Sequence, residues 1–529
     1  MNGGKMNGSA ELTPSLAEVT SLLLGNAAKN IESQGNTVPV YMSMPADLLT
    51  PVMAYLRLSN GASDQKRSFL CESVQTGEKI GRYSFIGCDP YKTIRSGPGL
   101  DVEGDPLVAI QKELDQFKYV PLPALPKFTG GAMGYVAYDC VQYFEPRTAR
   151  PGLKDAIGIP ESVFMFCDSI IIFDHIYQSI KFVSHVHLRS AEGTSVLADD
   201  IAKLYSVAAE KVQRLYQSVA GSDVTPLPHQ PPILKGQEAV SNVGKSGYES
   251  FVTSLRKNIV KGDIIQAVPS QRLARKTTLH PFNAYRHLRQ INPSPYMFYI
   301  DAGDAKIVGA SPETLCKVEG GKVSVHAIAG TIKRGKTAQE DDELAQELAT
   351  STKDRAEHVM LVDLARNDVS RVCDPRTTEV ETFMRVERFS HVMHLTSRVT
   401  GMLRKGKTRF DALRSIFPAG TVSGAPKIRA IELVSDLEGE KRGVYAGAVG
   451  HIDFASEEMD VCIAIRTMTF TGTPEARTAY LQAGGGIVYD SVEEDEYVET
   501  INKLGANVRC LDQTEAFYLE QQQKQEQEQ

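Results

Sequence analysis

From residue 248 onward, β-forming runs and amphipathic helices follow one another without a regular strand–helix alternation, and this irregularity limits the fold more than any other feature. YESFVTSLRKNIVKG spaces its apolar residues as a helix and closes on Gly262. PFNAYRHLRQI is a second helix, and the pattern predicts a long one over about 338–363. DIIQAVPSQRLAR, PYMFYI, AKIVGAS, YAGAVGHID, DVCIAIRTMTF and TAYLQAGGGIV read as strands. No period of about 20 to 50 residues repeats, which sets aside solenoids and propellers. The mixture predicts sheets faced by helices, without regular βαβ units.

The first half is a separate folded region in this reading, over 38–220. SFLCES, YSFIGCDP and SVFMFCDSIIIFDH read as strands, and residues 201–219 as a helix. Residues 221–247, rich in Pro, Gly and Ser, read as a linker to a second domain over 248–510. The arm 1–37 is expected to be largely disordered, and 511–529 reads as a polar tail whose end, QQQKQEQEQ (521–529), is expected to be disordered too. Two glycine-rich stretches carry no nucleotide signature. VGKSG (243–247) lacks the upstream glycine and the leading strand of a phosphate loop, and GGAMGYVAYD (130–139) reads as tight packing or a β-turn region.

A net charge of -7 over 529 residues gives no reason to expect nucleic acid or an anionic membrane as partner. No run long enough to span a bilayer occurs, and MNGGKMNGSAELTPS has no apolar core for a secretory signal. The eight cysteines are scattered without a CxxC pair, so free thiols and a cytoplasmic location are expected.

Chemistry concentrates near the C-terminus. LQAGGGIVYDSVEEDEYVET (481–500) runs a strand into three glycines and then into a cluster of carboxylates. On a helix over about 493–504, Glu496 and Glu499 share one face, as Asp354 and Glu357 do on the long helix. Two such helices facing each other would make a hard, oxygen-rich site suited to magnesium. The plain alternative is a pair of solvated faces, which is how Glu493, Glu494 and Asp495 are read. Asp354 has Lys353 and Arg355 beside it as local partners. The glycine run favours a site, because its freed amides can point at an anion. Arg466 sits in an otherwise apolar strand and needs a partner, which a substrate carboxylate can supply. Thr421 or Ser423, in a loop of small residues, could donate to a ligand. Glu313 follows a proline turn, as an acid catalyst or as a helix N-terminal carboxylate. His394 and His391 are each a core histidine or a base.

Seven ordered segments then resemble one family: AGTIKRG (329–335), AEHVMLVDLARNDVSRV (356–372), HVMHLTSRVTG (391–401), FPAGTVSGAPKIRA (417–430), GVYAGAVG (443–450), CIAIRTM (462–468) and AGGGIVYDSVEEDEYVET (483–500). They are similar to the motifs of the chorismate-utilising enzymes, and most of all to the anthranilate synthase large-subunit family. The resemblance is dense over 248–507 and reaches the first half through CESVQTGEKIGRYSFIG (71–87) and GGAMGYVAYD. It implies an α+β fold, with antiparallel or mixed sheets packed as a sandwich under outer helices and a smaller N-terminal α/β region. It also implies conversion of chorismate and ammonia to anthranilate and pyruvate. The ammonia would come from glutamine on a separate amidotransferase subunit, since no G-x-C-x-G nucleophile segment follows the last motif.

Carried over by motif, Glu357, Glu496 and Glu499 would be magnesium ligands, with Asp354 adjacent. Arg466, Tyr445 and the amides near Gly484 and Gly486 would hold the enolpyruvyl carboxylate. Thr421 would place the ring carboxylate, and Gly330 and Thr331 would line the substrate site. Loss of the C4 hydroxyl needs an acid, for which Glu313 is the candidate with a raised pKa, and loss of the C2 proton needs a base, for which His394 is the candidate. The two roles remain exchangeable at this point.

Two positions separate this chain from sister enzymes. Ala329 stands where aminodeoxychorismate synthases carry a nucleophilic lysine. Gln266 stands where isochorismate and salicylate synthases carry a lysine base. A tryptophan feedback site is also implied, with Glu72 and Ser73 meeting the ligand's amino group and Pro295, Tyr296 and Met297 walling the indole. Cys71 replaces the usual leucine there.

Overall fold

A computed structural model of the chain describes residues 11–25, 34–73, 81–188, 198–221, 224–388, 392–455 and 457–528. Among these residues two large sheets carry the fold, and every strand pair is antiparallel. The first has eleven strands, in the order Thr37–Pro45, Ser179–His187, Ile170–Asp174, Tyr83–Cys88, Ser68–Glu72, Tyr296–Asp301, Lys306–Ser311, Thr467–Thr471, Arg477–Gly484, Ser270–Thr277, Val240–Ser241. The second has nine, in the order Glu379–Arg388, Val392–Met402, Lys322–Lys333, Thr314–Glu319, Met459–Ile463, Ala448–Asp453, Gly131–Val136, Ser162–Cys167, Lys92–Ser96.

Side-chain alternation along each strand decides which layer a residue joins. Phe69, Ile170 and Ile172 of the first sheet pack against Met133, Tyr135, Val163 and Met165 of the second, forming the core between them. Their neighbours Leu70, Ile171 and Phe173 face the other way, in a core shared with the helices Pro51–Leu58, Ala198–Ala220, Pro281–Ile291 and Glu493–Glu528. Ala132, Phe164 and Phe166 likewise turn outward, toward Pro106–Leu114, Thr352–Ser370 and Arg409–Ile416. The result is the helix–sheet–sheet–helix arrangement expected of an α+β sandwich.

The two halves of the chain are not separate bodies. Ser68–Glu72 pairs with Tyr296–Asp301, Met297 opposite Glu72, and Gly131–Val136 pairs with Ala448–Asp453. Each half alone would leave open strand edges, and pairing across the halves removes them. Residues 221–247 thus divide the chain in sequence but not in space, and their last part, Val240–Ser241, forms an edge strand.

Several local expectations change. The long helix is two, Ala338–Thr350 and Thr352–Ser370, because the Ser351 hydroxyl caps the second by accepting from the Asp354 amide at 3.3 Å. DIIQAVPSQRLAR breaks at Pro269 into Gln266–Ala267 and Ser270–Thr277. GGAMGYVAYD holds a wholly buried strand, Gly131–Val136. The tail is helical, since Glu493–Glu528 continues past 510, burying Thr514 and Glu515, and Glu515 pairs with Arg275 at 2.5 Å. The N-terminal arm contains the helix Leu16–Leu24, capped by Ser15 and Glu18. No helix among the described residues is long and apolar enough to cross a membrane.

Candidate active site

DVCIAIRTMTF does not run as one strand. Met459–Ile463 belongs to the nine-stranded sheet and Thr467–Thr471 to the eleven-stranded one, and the chain crosses between them at 464–466. Arg466 makes the turn at φ 53°, a backbone state that costs a residue with a side chain roughly 1–3 kcal/mol. Among the described residues no carboxylate lies within ion-pairing distance of its guanidinium. Burial lowers its pKa. A strained, enclosed cation without a counter-ion suits an anionic ligand.

The glycine run lies against the carboxylates. The amide of Gly485 donates to the Tyr248 hydroxyl at 3.1 Å, and a Cβ on Gly485 would lie 3.0 Å from Glu496 Oε2. A Cβ on Gly486 would meet Gln266 Nε2 at 2.4 Å and Glu357 Oε1 at 3.7 Å. Gly484 lies at the Tyr445 hydroxyl, whose pKa burial pushes up to about 12. Glu496 accepts from Ser491 Oγ at 2.6 Å through Oε1, while its buried Oε2 has no hydrogen-bond partner. The pKa of Glu357 is raised by burial and then by Glu499, and that of Glu496 by burial, with Ser491 opposing and Glu499 adding to the rise. Among the described residues no three acidic, His or Cys side chains close into a ready metal cage. Asp354 stands beside Gly330 but spends an oxygen on the hydroxyl of its own cap, Ser351.

The sequence reading missed Lys503. Its Nζ donates to the Gly484 carbonyl at 2.9 Å and pairs with Glu499 at 2.6 Å. Its charge also opposes the raised pKa values of Glu313, Glu357 and Glu496. The only signal was its place one turn beyond Glu499, which reads equally well as a surface pair.

Glu313 directly precedes the strand Thr314–Glu319 and not a helix, which removes its N-terminal-carboxylate reading. It is 5% exposed, and burial lifts its pKa to about 8 against the opposing Thr421 hydroxyl, Ile328 amide and Lys503. Glu313 Oε1 and Thr421 Oγ1 are both buried without a hydrogen-bond partner of good geometry. Ser423, the alternative to Thr421, spends its hydroxyl on Ala419 O at 2.8 Å.

His394 sits opposite Thr331, next to a bulge at Gly330, which has φ 66°. Its Nδ1 is 2.9 Å from the Gly330 carbonyl and 3.0 Å from Thr331 Oγ1. A carbonyl can only accept, so the neutral ring carries its proton on Nδ1 and its lone pair on Nε2. Its pKa does not lie near neutral as expected. Burial and the Arg466 charge push it down to about 4, with the Gly330 carbonyl opposing. His391 lies outside the described residues.

The regulatory candidates gather elsewhere. Glu72, Ser73, Pro295, Tyr296 and Met297 line a cavity of about 790 Å³ with Cys71, which begins where the two sheets face each other. Glu72 is held from behind, accepting from Tyr285 at 2.6 Å and Arg289 at 2.9 Å. Residues 74–80 of the same motif lie outside the described residues.

A family model described as chorismate binding enzyme matches residues 66–509. The chain is 54% identical over 488 residues to the probable anthranilate synthase component 1 of Schizosaccharomyces pombe, covering 92% of this chain and 96% of that protein. It is 52% identical over 519 residues to anthranilate synthase component 1 of Saccharomyces cerevisiae, covering 97% and 99%. The crystal structure of anthranilate synthase component I from Streptococcus pneumoniae superposes with a TM-score of 0.67 at 36% identity, covering 88% of this chain and 99% of that one.

Proposed function

The chain belongs to the chorismate-binding enzymes, in their anthranilate synthase component 1 family, and from that premise we propose that it converts chorismate and ammonia to anthranilate and pyruvate. One observation supports the reading most: burial lifts the pKa of Glu313 to about 8 and lowers that of His394 to about 4, and the strand Lys322–Lys333 reaches both, through the Ile328 amide and the Gly330 carbonyl. Pairs whose surroundings push their pKa values apart in this way divide acid and base work between them.

In the first step the ammonia nitrogen bonds to C2 and the C4–oxygen bond breaks. Glu313 gives its proton to the departing hydroxyl, which leaves as water, and the new ammonium group sheds a proton. In the second step His394 Nε2 takes the C2 proton, the ring becomes aromatic, and the enolpyruvyl oxygen leaves C3, to be protonated to pyruvate. The two carboxylates of chorismate beside His394 would raise its pKa from about 4 and strengthen it as a base. Arg466 and Tyr445 would hold the enolpyruvyl carboxylate, and Thr421 the ring carboxylate.

Glu357, Glu496 and Glu499 would hold magnesium, and the fit rests on Glu496 Oε2, a buried oxygen without a partner facing the glycine run. The ion supplies a template and charge neutralisation for the ring carboxylate. Ala329 and Gln266 select the reaction: neither offers an amine to attack the ring or activate water, and Gln266 is 2% exposed with its amide nitrogen toward Gly486. A separate glutamine amidotransferase subunit would supply ammonia, and tryptophan in the large cavity would inhibit.

The test is fluorescence and mass identification of the product from the purified chain, chorismate, magnesium and ammonium at mildly alkaline pH. Anthranilate that needs magnesium and falls with added tryptophan is expected. A para-amino product or isochorismate would overturn the reading.

A further inference from the structure

Glu313 stands in a wall one residue thick. Pro312 and Thr314, on either side of it in sequence, line the large cavity, whereas its own carboxyl meets Thr421 in the active site. Ile328 repeats the pattern on the next strand, lining the cavity while its amide supports the Glu313 carboxyl. The cavity side of this wall is held by a directed chain of hydrogen bonds. Tyr296 donates its single hydroxyl proton to Asp460 Oδ1 at 2.8 Å, so the Thr314 hydroxyl, 2.7 Å from the Tyr296 oxygen, is the donor between those two. On the other side Ile463 ties the wall to the strand leading to Arg466. Its amide donates to Glu313 O at 3.0 Å, and its carbonyl accepts from Ser311 Oγ at 2.6 Å. Ser311 is in turn the register partner of Tyr296.

We propose that Thr314 is a positioning residue for Glu313, and that its hydrogen bond to Tyr296 is the contact through which occupation of the cavity changes the pose of the catalytic acid. The inference rests on the reading of the cavity as a tryptophan site. A ligand that packs against the Tyr296 ring moves its hydroxyl. Thr314 then follows or loses its acceptor, and the carboxyl one residue away shifts with it. Displacements of about 1 Å are enough to impair a reacting geometry. The differential contact that coupling requires is thus made by a single side chain.

The chain contains no tryptophan, so with excitation beyond the absorption of its 20 tyrosines the fluorescence of bound tryptophan can be read with little protein background. Binding is measured this way, and kcat/KM for anthranilate formation is measured with and without saturating tryptophan. Thr314→Val keeps the shape and removes the donor. It is expected to bind tryptophan nearly as the native chain does and to lower kcat more than it raises KM. The inhibition at saturating tryptophan should fall by about tenfold. Thr314→Ser should restore it. Should Thr314→Val not fold, Tyr296→Phe, which removes the acceptor, is judged by the same ratio at saturation. Undiminished inhibition in a variant that binds tryptophan overturns the proposal and leaves the functional reading standing. Anthranilate formation in the native chain that ignores tryptophan overturns both the proposal and the regulatory role of the cavity. No anthranilate at all overturns the functional reading itself.

Discussion

Keeping a buried carboxyl that ionises only near pH 8 costs stability whenever the solution is less acidic than the unfolded carboxyl requires. Glu313 has an ordinary value of 4.5 and a folded value of about 8, so between those limits the native state binds more protons than the unfolded one. Stability therefore falls as pH rises through that window, by at most about 1.4 kcal/mol per unit. Glu313→Gln is expected to match the native chain in thermal stability in acid and to exceed it at pH 8, while kcat drops roughly 10²- to 10⁴-fold. The native rate should decline above about pH 8 as the acid ionises, a limb absent from the variant. Arg466 lowers the pKa of His394, so Arg466→Gln should raise that value, read by NMR titration, and should raise KM as the carboxylate clamp is lost. At this scale much of the site was legible. His394 stood out through a family motif, and Glu313 as a carboxylate after a proline turn, where the proposed reaction calls for a base and an acid. Lys503 did not, because a lysine one turn from a glutamate looks the same on a surface as in a site. The low pKa of His394 was hidden as well, since it depends on burial and on a charge 72 positions away in sequence.

Secondary-structure elements aim these residues, and their irregularities do most of the aiming. The glycine run admits the carboxylates because it lacks Cβ atoms. Gly485→Ala would press on Glu496 Oε2 at 3.0 Å and the Tyr248 hydroxyl at 3.3 Å, and a weakened magnesium requirement curve with little loss of fold is expected. Arg442, wholly buried, fastens two helices and the segment between two strands. It donates to Glu438 at 2.7 and 2.8 Å, to Val422 O at 3.0 Å and to Val268 O at 2.7 Å. Arg442→Met should destabilise by about 3–5 kcal/mol in chemical denaturation, because Glu438 is left buried and uncompensated. Element type was readable from periodicity, but the breaks were not. A continuous apolar run such as DVCIAIRTMTF does not mark where it changes sheets, and Ser351 ends one helix and caps the next inside one amphipathic pattern.

At the scale of the whole molecule the linker misleads. Residues 37–187 supply five strands of the eleven-stranded sheet and three of the nine-stranded one. A chain beginning at 248 would lose all eight and expose the edges of Tyr296–Asp301 and Ala448–Asp453. It is expected to be insoluble or molten by circular dichroism and size-exclusion chromatography, and to recover structure when the first half is co-expressed. Strand pairing between distant segments leaves no local trace in sequence, so two domains were expected where there is one sandwich. Within that sandwich the Arg466 charge acts on His394, and Lys503, paired with Glu499, acts on Glu313. The most direct test of what the site does is to supply the purified chain with chorismate, magnesium and isotopically labelled ammonium and to locate the label by NMR. The account predicts the labelled nitrogen on the ring carbon beside the carboxylate, with pyruvate released in equal amount. Nitrogen para to the carboxylate, or an unlabelled isochorismate product, would contradict it.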